Sequence, residues 1–187
     1  QIGMHAKRMG VHINFAPDID ININPKNPII GNRSFGEDRE NVAQKGIAFM
    51  KGMESAGVLS SGKHFPGHGD TAVDSHKALP VLDFSLQRLD SIELYPFKRL
   101  INNGLSSVMV AHLSVPALEP REGYPSSLSR NIITYLLKDR LQFKGLVFTD
   151  ALNMKGVADF TEAGDVELSA FLAGNDILLM PTDLAKA

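Results

Sequence analysis

Residues 63–76, with the sequence KHFPGHGDTAVDSH, concentrate the side chains that could do acid–base or metal chemistry. They include three of the six histidines of the 187-residue chain, together with two aspartates and a lysine. Two glycines and a proline interrupt the segment, so we expect a loop rather than a long helix or strand. Lys63 and His64 directly follow residues 57–62, which are typical of a buried strand. In parallel α/β folds, ligands bind at this carboxyl end of a strand.

Asp74 and His76 stand two residues apart, a spacing at which a carboxylate can hold an imidazole in one tautomer. Such a pair can act as a general acid or base near neutral pH, because the unperturbed pKa of histidine is about 6.5. The alternative interpretation is that Asp74 only caps a turn and His76 is a solvated loop residue. The spacing alone leaves both interpretations open.

A metal site is a third use for the same segment. Zinc and non-haem iron accept ligands of the types found at His64, His68, Asp74 and His76. The glycine-rich spacing does not match a helical pair of histidine ligands, and we therefore expect no metal and no other cofactor.

Asp150 closes an apolar segment, residues 145–150, that predicts another buried strand. An aspartate is costly to bury without a partner, so it either caps the next segment or faces a pocket as a nucleophilic or electrostatic carboxylate. Arg33 could simply pair with the acidic residues of its own loop. Lys63 could be a surface lysine, although its place at the end of a strand argues against this.

The elements that must position these side chains alternate between strand and helix. Nearly all-apolar strands are predicted at residues 11–17, 58–62, 106–112, 145–150 and 176–180. Helices are predicted at 3–9, from 37, from 85 with a kink or a new start at Pro96, at 130–141 with Ser129 as N-cap, and at 166–173. This alternation indicates a parallel sheet covered by helices. Polar residues after several strands favour a (β/α) barrel, although a full barrel takes ~250 residues and eight strands.

Composition excludes several classes of protein. The net charge of −2 gives no electrostatic case for nucleic acid, and no apolar run approaches the ~20 residues of a membrane helix. The absence of cysteine excludes disulfides and thiolate metal sites. We expect one domain over residues 1–187, which begins without Met and is expected to be a piece of a longer gene product with further domains.

Several segments, in order along the chain, resemble glycoside hydrolase family 3, in its β-N-acetylglucosaminidase (NagZ-like) branch. They are NFAP from residue 14 together with Asp20, RSFGED from residue 33, KHFPGHG with DSH from residue 63, SLS from residue 127 and FTDALNM from residue 148. The resemblance implies a (β/α)8 TIM-type barrel, here an incomplete fragment that lacks the first strands, with their acidic sugar-binding residue, and the last.

The resemblance also implies an exo-acting reaction that removes terminal β-linked N-acetylglucosamine, from glycans or muropeptides, with retention of configuration. It implies these roles: Asp150 as the nucleophile, His76 as the acid/base, Asp74 as its partner, and Arg33, Lys63 and His64 as the residues that grip the sugar hydroxyls. The glycines around His68 would let the loop move. A bacterial cytoplasm or periplasm fits this chemistry equally well.

Two alternatives remain open. A histidine acid/base, unlike a glutamate, does not repel an incoming phosphate, so the same residues could serve a β-N-acetylglucosaminide phosphorylase. The domain could also be a non-catalytic module that binds cell-wall fragments, which the combination of Asp74, His76 and Asp150 argues against.

Overall fold

A computed structural model describes residues 1–71, 79–158, 160, 164–183 and 185. Four parallel strands form one sheet in the order β1-β2-β3-β4. They are β1 (Ile13–Asn14), β2 (Leu59–Phe65), β3 (Ser107–Val110) and β4 (Leu146–Thr149). Because each strand lies beside its predecessor and runs in the same direction, all carboxyl ends meet at one edge of the sheet.

Strand β2 is longer than predicted. The expected strand ended at residue 62, but the observed strand continues to Phe65 and includes Lys63 and His64. The backbone amide of Lys63 donates to the Pro17 carbonyl and that of Ile19 donates to the Lys63 carbonyl, at 3.2 and 2.9 Å. These bonds to the segment after β1 keep β2 extended beyond its apolar part.

The fifth predicted strand, residues 176–180, is reduced to a parallel bridge between Phe148 and Ile177. A side chain takes over part of the ladder there, because the Val147 amide donates to Asp176 Oδ2 at 2.8 Å. Further along the same two segments, the Leu179 amide donates to the Thr149 hydroxyl at 3.0 Å. The segment thus follows β4 without regular pairing.

Seven helices longer than a single 3-10 turn lie in the described part of the chain: α1 (Ile2–Arg8), α2 (Arg39–Glu54), α3 (Leu86–Ser91), α4 (Leu94–Ile101), a π-helix (Asn131–Arg140), α5 (Lys155–Ala158) and α6 (Asp165–Ala173). Asp38 caps α2 by accepting the Asn41 amide at 2.7 Å. The predicted N-cap, Ser129, accepts the Ile132 amide at 3.2 Å, although the residue at the N-cap of the observed π-helix is Arg130. None of the described helices is long and apolar enough to cross a bilayer.

Pro96 lies in the first turn of a new helix and does not kink the preceding one. It is the third residue of α4, in the first turn, where a missing backbone N–H leaves no hydrogen bond unmade. The adjacent Phe97 packs edge-on against Phe65 of β2, with ring centroids 5.1 Å apart. This contact anchors α4 to the sheet within the main core, to which α2, α3 and the π-helix also contribute.

Candidate active site

A pocket of about 300 Å³ opens at the carboxyl edge of the sheet. Its polar wall comprises Arg33, Lys63, His64, His68 and Asp150, which come from the segments after β1, within and after β2, and after β4. Four of the six residues singled out in the sequence therefore share one cavity. Phe15, Met109 and Leu179 are among its apolar lining.

Asp150 continues the line of β4 past its last residue. Its amide donates to the Val110 carbonyl at 2.8 Å, and its Oδ1 accepts the Ala151 amide at 2.9 Å. The buried His112 supports this turn, since its Nε2 lies 3.0 Å from the Ala151 carbonyl oxygen. The other ring nitrogen of His112, Nδ1, lies 2.7 Å from the Ser127 hydroxyl. Asp150 is thereby held half-buried at the pocket wall.

His64 is engaged at both ring nitrogens. Its Nδ1 lies 2.7 Å from Asp20 Oδ2, and its Nε2 lies 3.2 Å from Arg33 Nη2. A guanidinium only donates hydrogen bonds, so Nε2 accepts and Nδ1 carries the proton that it donates to Asp20. Burial lowers the pKa of His64 to about 4, which agrees with a neutral ring. A hydrogen bond from this ring to a sugar hydroxyl would require one of these bonds to be exchanged.

Asp18 and Asp20 are site residues to which the sequence analysis assigned no role, although Asp20 belongs to one of the segments that carry the family resemblance. Asp20 accepts the amides of His64 and His68, at 3.1 and 2.6 Å, and Asp18 Oδ2 forms an ion pair with Arg33 Nε at 3.3 Å, without the alignment of a hydrogen bond. Burial raises the pKa of both carboxyls, that of Asp18 to about 7, helped by the neighbouring charge of Asp20. Their two-residue spacing directly after a strand was the available signal, because it puts both side chains on one face.

Lys63 adds a second cation to the pocket. Burial lowers the pKa of Lys63, and the nearby Arg33 lowers it further, whereas Asp18 and Asp150 raise it. Two cations and several carboxylates around one small cavity offer both donors and acceptors at close range. Such a surface suits a neutral ligand rich in hydroxyl groups.

The family model of the glycosyl hydrolase family 3 N terminal domain matches residues 1–187. The chain belongs to glycosyl hydrolase family 3. A family 3 β-N-acetylglucosaminidase structure from Paenibacillus sp. str. FPU-7 is 45% identical, with a TM-score of 0.92 over 95% of this chain and 34% of that one. Beta-hexosaminidase A of Pseudoalteromonas piscicida is 42% identical over 190 residues, which are 96% of this chain and 32% of that protein.

A third similar protein is named for a different activity. The structure of the beta-glucoside phosphorylase BglX is 29% identical, with a TM-score of 0.94 over 98% of this chain and 35% of that one. The family 3 chain therefore spans about a third of the length of these relatives. The likeness confirms the predicted fold class, since the curled parallel sheet matches a fragment of the family's TIM-type barrel.

Asp74 and His76 lie outside the described residues, which stop at Thr71 and resume at residue 79. Their predicted role as an acid/base pair in this family 3 chain therefore stays a prediction. The last described residues before them are firmly bonded, because Asn27 Nδ2 donates to the His68 carbonyl at 2.8 Å and the Thr71 hydroxyl lies 2.7 Å from His68 Nδ1.

Asp18, Asp20 and His64 could hold a metal ion by distance alone, since one donor atom from each lies within 4.8 Å of the others. Those atoms already have partners within the described residues. Asp20 Oδ2 receives both the ring proton and the amide of His64, and the Arg33 guanidinium lies beside Asp18. A cation there would have to displace the guanidinium, so the arrangement fits an internal charge network better than a metal centre.

The glycines around His68, which the sequence analysis associated with movement of the loop, lie in close contact with neighbouring parts of the chain. A Cβ atom at Gly69 would lie 2.0 Å from the Ile21 carbonyl oxygen, and one at Gly67 would lie 2.7 Å from Glu93 Cβ. Both glycines thus permit close packing of the chain against its neighbours. We call residues 67–71 the loop stem.

Proposed function

We propose that this family 3 domain forms the active site of a retaining, exo-acting β-N-acetylglucosaminidase. The observation that carries the proposal is the position of Asp150 in one pocket with Arg33, Lys63 and His64. Relatives named beta-hexosaminidase and β-N-acetylglucosaminidase support an enzyme of this substrate class. The substrate is a terminal β-linked N-acetylglucosamine of a glycan or muropeptide.

In the first step, a carboxylate oxygen of Asp150 attacks the anomeric carbon and forms a glycosyl ester. The bond from that carbon to the aglycone oxygen breaks, and the leaving oxygen takes a proton from the His76 imidazolium. Asp74 holds the imidazole and stabilises its charged form. The half-buried position of Asp150 at the end of β4 supports its role, because it leaves the carboxylate open to the pocket.

In the second step, water attacks the anomeric carbon and releases Asp150. The now neutral His76 accepts the proton from water, which restores the imidazolium and gives the sugar with retained configuration. Arg33 and Lys63 supply donors to the sugar hydroxyls throughout. The His64 ring fixes the Arg33 guanidinium, and the Asp18 ion pair fixes it from another side.

Covalent trapping in the full-length protein tests this assignment. We expect a slowly hydrolysed, mechanism-based fluoro sugar of the N-acetylglucosamine series to add one sugar to the protein. Peptide mapping by mass spectrometry should locate it on Asp150. A label on another carboxylate would overturn the assignment, and the absence of any turnover of an aryl N-acetylglucosaminide would favour a non-catalytic binding module.

A phosphorylase is the second candidate, and the likeness to the beta-glucoside phosphorylase favours keeping it. Phosphate would then replace water in the second step and give a sugar 1-phosphate. Product analysis with and without inorganic phosphate separates the two. We expect free N-acetylglucosamine under both conditions, and a dominant sugar 1-phosphate would establish the phosphorylase instead.

A further inference from the structure

The loop stem is held on the side that faces the segment after β1. Gly69 packs against the Ile21 backbone, Asp20 accepts the His68 amide, and Asn27 donates to the His68 carbonyl. These contacts support the pocket already described. A second anchor of the stem involves residues that do not line the pocket, and the mechanism above does not use it.

The second anchor is Arg88 of α3. Its Nη2 lies 3.0 Å from Asp70 Oδ2 in the loop stem and 3.0 Å from Glu93 Oε1 at the start of α4. The guanidinium carbon also lies 4.5 Å from the centre of the Phe84 ring, a cation–π contact. Arg88 therefore joins the stem to the α3–α4 junction and is itself fixed in orientation.

Glu93 contributes to this anchor through close packing against the loop stem as well as through its bond to Arg88. It is buried, and its Cβ occupies the space that a side chain at Gly67 would need. Gly67 has φ of +134°, a backbone conformation that favours glycine. The stem consequently sits directly on the junction, with no room for another side chain between them.

The charges favour a tight bond from Arg88 to Asp70. Burial raises the pKa of Glu93 to about 7, against the opposing effect of Arg88. Asp70 is a second acidic partner of the guanidinium, and the side chains of Arg88 and Asp70 are only partly exposed. A partly shielded pair of this kind is stronger than an exposed surface pair.

We propose that Arg88 is a positioning residue for the acid/base step. Through Asp70, which precedes Asp74 by four positions and His76 by six, it fixes the point and direction from which the chain continues to that pair. The inference rests on the proposed function, because it takes Asp74 and His76 as the acid/base pair. It adds a role for a residue that touches neither the sugar nor the reacting atoms.

Leaving-group dependence is the measurement that separates positioning from stability. A natural disaccharide needs the proton of the acid/base residue in the first step, whereas a dinitrophenyl glycoside does not. In the full-length protein we expect Arg88→Gln to lower kcat/KM on the disaccharide by about 10- to 100-fold, the size of a small misplacement of a catalytic group. The dinitrophenyl glycoside should change by no more than about threefold, and Arg88→Lys should be intermediate.

Arg99→Gln is the matched control. Arg99 lies on α4 and pairs with Glu40 of α2 at 2.8 Å, away from the loop stem. We expect this variant to keep the ratio of the two substrates at the wild-type value, whatever it does to Tm. If Arg88→Gln fails to fold, Asp70→Asn carries the same test, since it leaves Arg88 and Glu93 paired.

The two proposals fail in different ways. If His76→Ala shows the leaving-group dependence and the Arg88 and Asp70 variants lose activity equally on both substrates, the positioning role is overturned and the proposed function stands. If His76→Ala itself shows no such dependence, the acid/base assignment fails and the positioning role fails with it.

Discussion

Arg33 Nη2 lies 3.2 Å from Nε2 of the neutral His64 ring, so a histidine orients an arginine at the centre of the pocket. The ring takes its own orientation from Asp20, to which its Nδ1 proton is donated over 2.7 Å. The guanidinium that lines the pocket is thus the end of a hydrogen-bond chain that starts at a buried carboxylate. This relationship gives His64 a supporting role beside any direct contact with the substrate.

His64→Gln should weaken substrate binding more than it slows the chemistry. The amide cannot span the gap between Asp20 and Arg33, so the guanidinium loses one fixed partner. We expect KM to rise about tenfold, the equivalent of one hydrogen bond, with a smaller fall in kcat. Steady-state kinetics on an aryl N-acetylglucosaminide measure both, with exposed His12→Gln as the control. A loss confined to kcat would place His64 in the chemical step.

Asp150→Asn should abolish turnover without unfolding the domain. The amide keeps the shape of the side chain, and its carbonyl oxygen can still accept the Ala151 amide. We expect at least about a thousandfold loss of kcat, because this variant lacks the proposed nucleophile of the first step. Circular dichroism and Tm should match those of the wild type, and Asp139→Asn, at an exposed position, should retain activity. Substantial remaining turnover would assign the nucleophile elsewhere.

Glu93→Gln should remove part of the pH dependence of stability. Burial raises the pKa of Glu93 from 4.5 to about 7, so the folded protein binds more protons than the unfolded chain between these values. The stabilising contribution of the protonated Glu93 side chain is present below pH 4.5 and is lost as the pH rises through 7. Relative to wild type, the variant should gain on the order of 2 to 3 kcal/mol in free energy of unfolding between pH 4.5 and 8.

Urea unfolding of both proteins at the two pH values measures that difference. Glu122→Gln, at an exposed position, controls for the general loss of one negative charge. The same pH dependence of stability in the wild type and Glu93→Gln would show that folding does not raise the pKa of Glu93.

Gly69→Ala should destabilise the protein and impair activity together. The added Cβ would meet the Ile21 carbonyl oxygen at 2.0 Å, and backbone atoms cannot yield as a side chain can. Gly52→Ala is the control, because its Cβ meets nothing within 4 Å on the exposed side of α2, where alanine stabilises a helix by about 0.5 to 1 kcal/mol. We expect a lower Tm for the first variant and an unchanged or higher Tm for the second. An unchanged Gly69→Ala would mean that the stem can move away from Ile21.

The sequence predicted the long apolar strands well and the interrupted ones poorly. All four residues of β3 are buried, and an apolar run of that kind is a reliable signal. The segment at 176–180 has the same composition, but the Asp176 carboxylate takes a place in the ladder that a pattern cannot reveal. Likewise, the extension of β2 depends on bonds to Pro17 and Ile19, which are more than forty residues away in the chain.

Within the site, sequence reasoning found the charged residues that face the pocket and missed the carboxylates behind them. Arg33, Lys63, His64 and Asp150 stand out because each follows or ends an apolar segment or belongs to a distinctive motif. Asp18 and Asp20 directly follow the strand predicted at residues 11–17, but that position alone does not distinguish a buried site carboxylate from a surface one. Their importance comes from burial, which only the three-dimensional arrangement defines.

The buried carboxylates of Asp18 and Asp20 also favour one register between β1 and β2. Asp18 pairs with Lys63 in a parallel β-bridge of the backbone. Asp20 accepts the backbone amide of His64 only when β1 and β2 pair in the observed register. A slip of one residue would turn these side chains to the other face and leave negative charge buried without compensation. Misaligned pairings of the two strands are therefore disfavoured, so the carboxylates that support the pocket also favour the correct register of the sheet.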